Sequence, residues 1–168
     1  MKKISLILST IAAAVLITSC GPTKEDAIKY NDNFIAIQKS LSPSYDGFVA
    51  QISGNNPDSL KSAYTLFDAK AKGALEECKK VKPFHKKSEY LDAAIEYFKV
   101  LDDLTDVEGK QIVDILTRDS SKITEADVAA VKTAAEKFDS EYARVLKKVE
   151  DAQAAFAKEW KFEVTKSN

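Results

Sequence analysis

Histidine, methionine and cysteine are almost missing from this chain, which has one His, one Met and two Cys among 168 residues. That scarcity removes most metal and haem chemistry at once. A di-iron carboxylate centre in a helical bundle takes two Glu-x-x-His pairs, and the single His85 has Lys82, not glutamate, three residues before it. Haem held by His and Met fails because the sole methionine is Met1, and no Cys-x-x-Cys-His motif or Cys/His zinc cluster can be assembled. No metal and no cofactor is therefore expected. Glycine and proline are sparse as well, five and four residues, so long stretches lack the residues that end helices. Charge of one sign is not in excess. The 25 basic and 26 acidic side chains are interleaved along the helical stretches, without the basic stripe that nucleic-acid binding requires, and no nucleic-acid partner is expected.

What is present begins at the N-terminus. Met1, Lys2 and Lys3 precede an apolar stretch from Ile4 to Ile17. At about 14 residues it is too short for a spanning helix, which needs roughly 20, and it reads as a signal peptide. It ends in Ile17-Thr18-Ser19-Cys20-Gly21, an aliphatic residue, two small residues and a cysteine, which resembles the bacterial lipobox. The resemblance implies diacylglycerol on the Cys20 sulfur, cleavage before Cys20 and acylation of the new amine. Residues 1–19 are then a lipoprotein signal peptide and 20–23 a lipidated tether to the membrane. Two or three acyl chains anchor a protein stably, at about 0.8 kcal/mol per buried methylene. Lys24-Glu25-Asp26 is similar to the lysine-plus-two-acids signal that carries some Bacteroidetes lipoproteins to the outer face of the outer membrane. The same acids also fit the first turn of a helix, at the positive end of its dipole. Lipidation consumes Cys20 and leaves Cys78 unpaired. Cys78 continues the apolar seam of Leu60, Tyr64, Phe67, Ala71 and Leu75, which predicts an inert core thiol.

The remaining chain reads as four helices. The last is the clearest, with Val128, Val131, Ala135, Phe138, Tyr142, Val145, Val149, Ala152 and Phe156 at alternating spacings of three and four. Thr124 is its N-cap, Asp127 completes a capping box, and Ile123 is placed to staple against Val128. It should run from Glu125 to Trp160. A second helix starts at Asn56-Pro57 and ends before Pro83. A third follows Phe84-His85 and extends to Leu116, with Gly109 as a weak point. The first spans Lys24 to Ile52, and Pro43 should kink or interrupt it. Short connections make neighbours antiparallel. The prediction is an all-α, up-down-up-down four-helix bundle over residues 24–162, with a C-terminal tail at 163–168. The loop at Pro83 to His85 should lie at the tethered end, and the connections from Phe48 to Asn56 and from Leu116 to Thr124 at the far end, where a partner is to be sought first.

Chemistry is thin on these helices. His85 sits among lysines in a loop, and Asp102-Asp103 and Glu76-Glu77 are neighbours pointing about 100° apart, so they read as solvated faces. No catalytic residue is assigned. One polar constellation stands out: Tyr30, Asn31 and Gln38, with the two amides seven residues apart on the seam of Ile28, Ile35 and Leu41. Buried amides must be hydrogen-bonded, to tyrosine or other hydroxyls such as Thr65, or to an amide on another helix. Such a layer either fixes helix register, as a core Asn does in a coiled coil, or lines a cavity for a small ligand.

Tyr30-Asn31-Asp32 soon after the cysteine, Gln38 beyond it, and the ending Ala154-Ala155-Phe156-Ala157-Lys158-Glu159-Trp160-Lys161-Phe162 resemble a group of small, functionally uncharacterised surface lipoproteins of Leptospira and Bacteroidetes. The present chain has Trp160-Lys161 where that pattern has Tyr-Asn. The resemblance implies an all-helical envelope protein and no site residues. The expected function is a non-enzymatic, lipid-anchored envelope protein at the outer membrane and its surface, with a protein or glycan partner. The alternative is a carrier of a small apolar or amphipathic ligand held between helices at the Asn31 and Gln38 layer.

Overall fold

The computed structural model describes residues 21–54 and 56–164; the signal stretch and Cys20 lie outside them. Helix α1 covers Lys24–Ile52, α2 Pro57–Lys80, α3 Glu89–Leu104, α4 Lys110–Leu116 and α5 Glu125–Trp160. A π-helical segment, Thr105–Gly109, joins α3 to α4 into one rod, and a short 3-10 turn, Ser120–Lys122, precedes α5. The result is an all-α four-helix bundle, and among the described residues no helix is long and apolar enough to cross a membrane.

Side chains near the chain's breaks set these boundaries. The Thr23 hydroxyl accepts the Asp26 N–H at 3.2 Å while the Asp26 carboxylate accepts the Thr23 N–H at 3.0 Å. This reciprocal box satisfies amides that the first turn of α1 leaves without partners. Thr124 and Asp127 build the same box at α5, with 3.2 and 3.0 Å bonds. In both boxes the threonine backbone N–H, followed by its hydroxyl, holds the carboxyl below the usual range. Asn56 caps α2, its Oδ1 accepting the Asp58 and Ser59 N–H groups, each at 3.1 Å.

Pro43 does not interrupt α1. It lies on the exposed face, so the hydrogen bond it removes is on the solvent side of the helix. Around it the hydroxyls of Ser40, Ser42 and Ser44 donate to the carbonyls of Ile37, Gln38 and Leu41 at 2.8, 3.1 and 2.6 Å. Side-chain donors therefore support the turns that the proline weakens.

The expected weakness near Gly109 is a π turn instead of a break. The Thr105 hydroxyl donates to the Leu101 carbonyl at 2.7 Å, and the Tyr64 hydroxyl donates to the Thr105 carbonyl at 3.3 Å. Thr105 thus ties the wider turn back to α3 by its hydroxyl and across to α2 by its carbonyl.

The core is aromatic at its centre. Phe48 and Phe67 stack at 5.6 Å between ring centroids, and Tyr45 and Phe138 close the group from α1 and α5. The sequence seam of α5 needs correction at its start. Val128 is 61% exposed, and burial begins only at Ala134, so Val128 lies outside the core face of α5. Val49 of α1, at the helical spacing of Tyr45, Phe48 and Ile52, is also exposed.

The third rod starts later than expected because Phe84 to Lys87 forms a tight turn. Lys87 N–H donates to the Phe84 carbonyl at 2.9 Å, and His85 and Lys86 carry φ of 49° and 67°. Two successive positive φ values are the signature of a type I′ turn, which disfavours residues with a Cβ. Lys86→Gly should therefore raise the unfolding free energy by about 1 kcal/mol, read as a higher urea midpoint with unchanged slope.

Candidate functional site

Tyr30, Asn31 and Phe34 bring an α1 surface against Tyr90 at the start of α3, Gln153 and Phe156 near the end of α5, and Phe84 from the tight turn. The backbones of α1 and α5 make few close approaches, because rings fill the seam between them. Tyr30 lies 5.0 Å from Phe84 and 5.5 Å from Phe156, and Phe84 meets Trp160 edge-on at 5.1 Å. The start of α1, the 81–88 connection and the end of α5 thus meet at one end of the bundle.

Asn31 is only 4% exposed. Its Oδ1 accepts the Tyr90 O–H at 3.1 Å and the Gln153 Nε2–H at 2.7 Å. A single buried acceptor therefore ties three helices together. Its Nδ2 donates to no described residue, and Asn31 lines an open groove of about 420 Å³ with Lys24, Ile28, Asp32, Ile35 and Phe162. Tyr30 is half-buried; its hydroxyl, beside the Phe84 backbone, finds no well-formed hydrogen bond, and burial pushes it up to about 12. The Trp160 indole N–H is likewise buried without a partner among the described residues.

Gln38 is half-buried one heptad further along α1, beside the Tyr97 hydroxyl, which donates to the Tyr142 hydroxyl at 3.4 Å. Thr65 joins neither layer: it is exposed and donates to the Lys61 carbonyl of its own helix at 2.9 Å. The amides repeat at 31 and 38 and the tyrosines at 90 and 97, so both layers follow one heptad register on α1 and α3. The Tyr90 and Tyr97 spacing was a readable signal that amide positions alone did not use. Burial raises both phenols strongly.

Two acids are withdrawn from solvent, Glu108 and, against the solvated face expected of it, Asp102. Glu108 is 5% exposed, one heptad from the buried Leu101, and accepts from Lys137 Nζ at 2.5 Å. Asp102 is partly buried with one carboxylate oxygen unpartnered, and burial raises its pKa, followed by the charge of Asp106. Lys72 lies between Asp68 and Asp106 at 2.8 and 2.9 Å.

Among the described residues reactive groups do not converge. His85 is exposed on the tight turn. Cys78 is fully buried and its thiol is pushed up to about 12 by desolvation, so at neutral pH it holds almost no thiolate. Among the described residues no three His, Cys, Asp or Glu side chains gather to hold a metal ion. The buried amide and phenol hydrogen bonds hold α1, α3 and α5 in one register. No family model, curated protein or solved structure matches this chain.

Proposed function

We propose that this chain is a lipid-anchored cell-envelope protein whose helical bundle serves a binding or structural role and not catalysis. In this reading acyl chains on Cys20 hold it at the outer membrane, and the bundle presents its surface to an envelope protein or glycan. Where Lys24-Glu25-Asp26 acts as an export signal, that surface faces outward, as in the small lipoproteins of Leptospira and Bacteroidetes that the sequence resembles. The supporting observation is the N-terminal constellation: two lysines, a short apolar stretch, Ile17-Thr18-Ser19-Cys20, and a capped helix beginning at Lys24. Asp26 is engaged in that cap, which is compatible with an additional role in export.

Cys20→Ser tests it. Wild type should partition with membranes as a processed, acylated species, and the variant should lose acylation and processing before residue 20. Equal processing and acyl content in both proteins would refute the anchor.

The groove that Asn31 lines favours a second reading, a carrier of a small amphipathic molecule. Native mass spectra of the purified protein would then show a co-purifying amphiphile that Ile28→Lys, in the groove wall and with an unchanged melting temperature, no longer retains.

A further inference from the structure

Residues 79–87, Lys79-Lys80-Val81-Lys82-Pro83-Phe84-His85-Lys86-Lys87, hold five lysines and no acid. The other residues after position 19 hold 18 basic and 26 acidic side chains. The chain is therefore acidic over most of its surface and basic at one connection. Two of the five lysines are ion-paired, Lys79 with Glu76 at 2.8 Å and Lys87 with Glu159 at 2.6 Å. Lys80, Lys82 and Lys86 are exposed and form no ion pair with any described residue. The dipole of α2 accounts for lysines at 79 and 80, in its last turn. It does not account for 82, 86 and 87, which lie beyond the helix.

This connection is held in place. The Phe84 ring is set between Tyr30, Phe156 and Trp160, with centroids at 5.0, 5.4 and 5.1 Å, and the Phe84–Lys87 turn is closed by its backbone hydrogen bond. The cations are thus displayed from a fixed scaffold, at the end of the bundle where α1 begins. Phe84 packs at the level of Tyr30, six residues into α1 and about 9 Å from Lys24 at 1.5 Å per residue. Four residue steps separate Lys24 from Cys20, a reach of at most about 14 Å. A modest tilt of α1 brings the lysines to a bilayer that holds Cys20.

We infer that the Lys79–Lys87 connection is a membrane-docking surface for anionic lipid headgroups, acting with the acyl anchor to set the bundle's orientation at the bilayer. The inference rests on the acyl anchor proposed above. Its chemistry is that of a polybasic patch beside a lipid attachment, where each lysine near an anionic surface contributes about fivefold in affinity, and three on the order of 100-fold. The acidic remainder of the surface is repelled by the same headgroups, so the orientation is polar, with the far-end connections pointing away.

The test uses the mature lipidated protein purified from cells and reconstituted into neutral phosphatidylcholine vesicles or into vesicles containing anionic phosphatidylglycerol. Lysines are labelled with an amine-reactive reagent and read by peptide mass spectrometry. Lys80, Lys82 and Lys86 should label about fivefold more slowly on anionic than on neutral vesicles, and the difference should vanish in about 1 M salt. Lys132, which is 77% exposed near the start of α5, should label equally on both. The triple variant Lys80→Gln, Lys82→Gln, Lys86→Gln, with the wild-type melting temperature, should incorporate normally but lose the anionic-vesicle protection of Lys79 and Lys87. Normal incorporation with equal labelling of Lys80, Lys82 and Lys86 on both vesicles would overturn the docking surface alone. Protection on neutral vesicles by an added anionic polysaccharide, with none from anionic lipid, would overturn it in favour of a glycan partner. Failure to incorporate into either vesicle would overturn the anchor, and the docking surface with it.

Discussion

Phe67→Ala should lower the unfolding free energy by about 3–5 kcal/mol, the range for removing a buried aromatic ring without collapse of the site. Phe67 is fully buried, stacks on Phe48 at 5.6 Å, and lies 5.5 and 6.4 Å from Tyr45 and Phe138. Three of the four rods therefore meet at one ring, and alanine would leave a cavity lined by rigid neighbours. A domain of this size has about 5–15 kcal/mol in total, so the variant should melt roughly 10 °C lower or fail to accumulate. Leu66→Ala, next in the chain but 54% exposed, should stay within about 0.5 kcal/mol of wild type. Equal effects of the two substitutions in urea unfolding would contradict the placement of the core.

Raising the pH should unfold the protein in one cooperative step between about pH 10 and 12. Burial raises the phenols of Tyr30, Tyr45, Tyr64, Tyr90 and Tyr97 and the thiol of Cys78. Each stays protonated in the fold after its unfolded counterpart has ionised. The unfolded state then binds fewer protons, so the stability present below the unfolded values is lost as pH climbs toward the folded ones. That window opens near 9.0 for Cys78 and 10.0 for the tyrosines, and Cys78 and Tyr30 reach about 12 in the fold. Tyr90, Tyr97 and Cys78 are 6%, 3% and 0% exposed. Three such groups remove about 4 kcal/mol per pH unit, enough to consume the whole stability within a few units. Tyrosinate absorbance and far-ultraviolet circular dichroism, followed on one sample, should change together. Graded ionisation near pH 10 with the helices intact would contradict this.

The bundle was legible where polar punctuation is strong. Asn56-Pro57 and Thr124 with Asp127 mark helix starts by side-chain chemistry alone, and the observed starts at Pro57 and Glu125 follow from them. Thr23 with Asp26 carries the same signal as Thr124 with Asp127, yet a reading of Lys24-Glu25-Asp26 as a dipole or export feature passes over the cap. Periodicity did less well at the ends, because Val128 and Val49 have the spacing of a core yet are 61% and 44% exposed. Pro43 shows the limit of local propensity: exposure and neighbouring hydroxyls let the helix continue.

At the candidate site, the seven-residue spacing of Asn31 and Gln38 indicated two positions on one face. Partner choice depended on how α3 and α5 lie against α1, which no local pattern encodes. The heptad spacing of Tyr90 and Tyr97 marks a matching face on α3, but that Asn31 pairs with Tyr90 and Gln153, 59 and 122 residues away in sequence, emerges only from packing. Glu108 was missed because acids are ordinarily solvated. Its heptad relation to Leu101, with Lys137 across the seam, is what permits its burial.

The anchor is tested most directly by the covalent state of the N-terminus. Protein extracted from membranes and analysed by intact mass, with fragmentation of its first peptide, should begin at Cys20 and carry a diacylglyceryl thioether with an acylated amine. A chain that retains Met1, or one cleaved elsewhere with a free Cys20 thiol, would contradict the account.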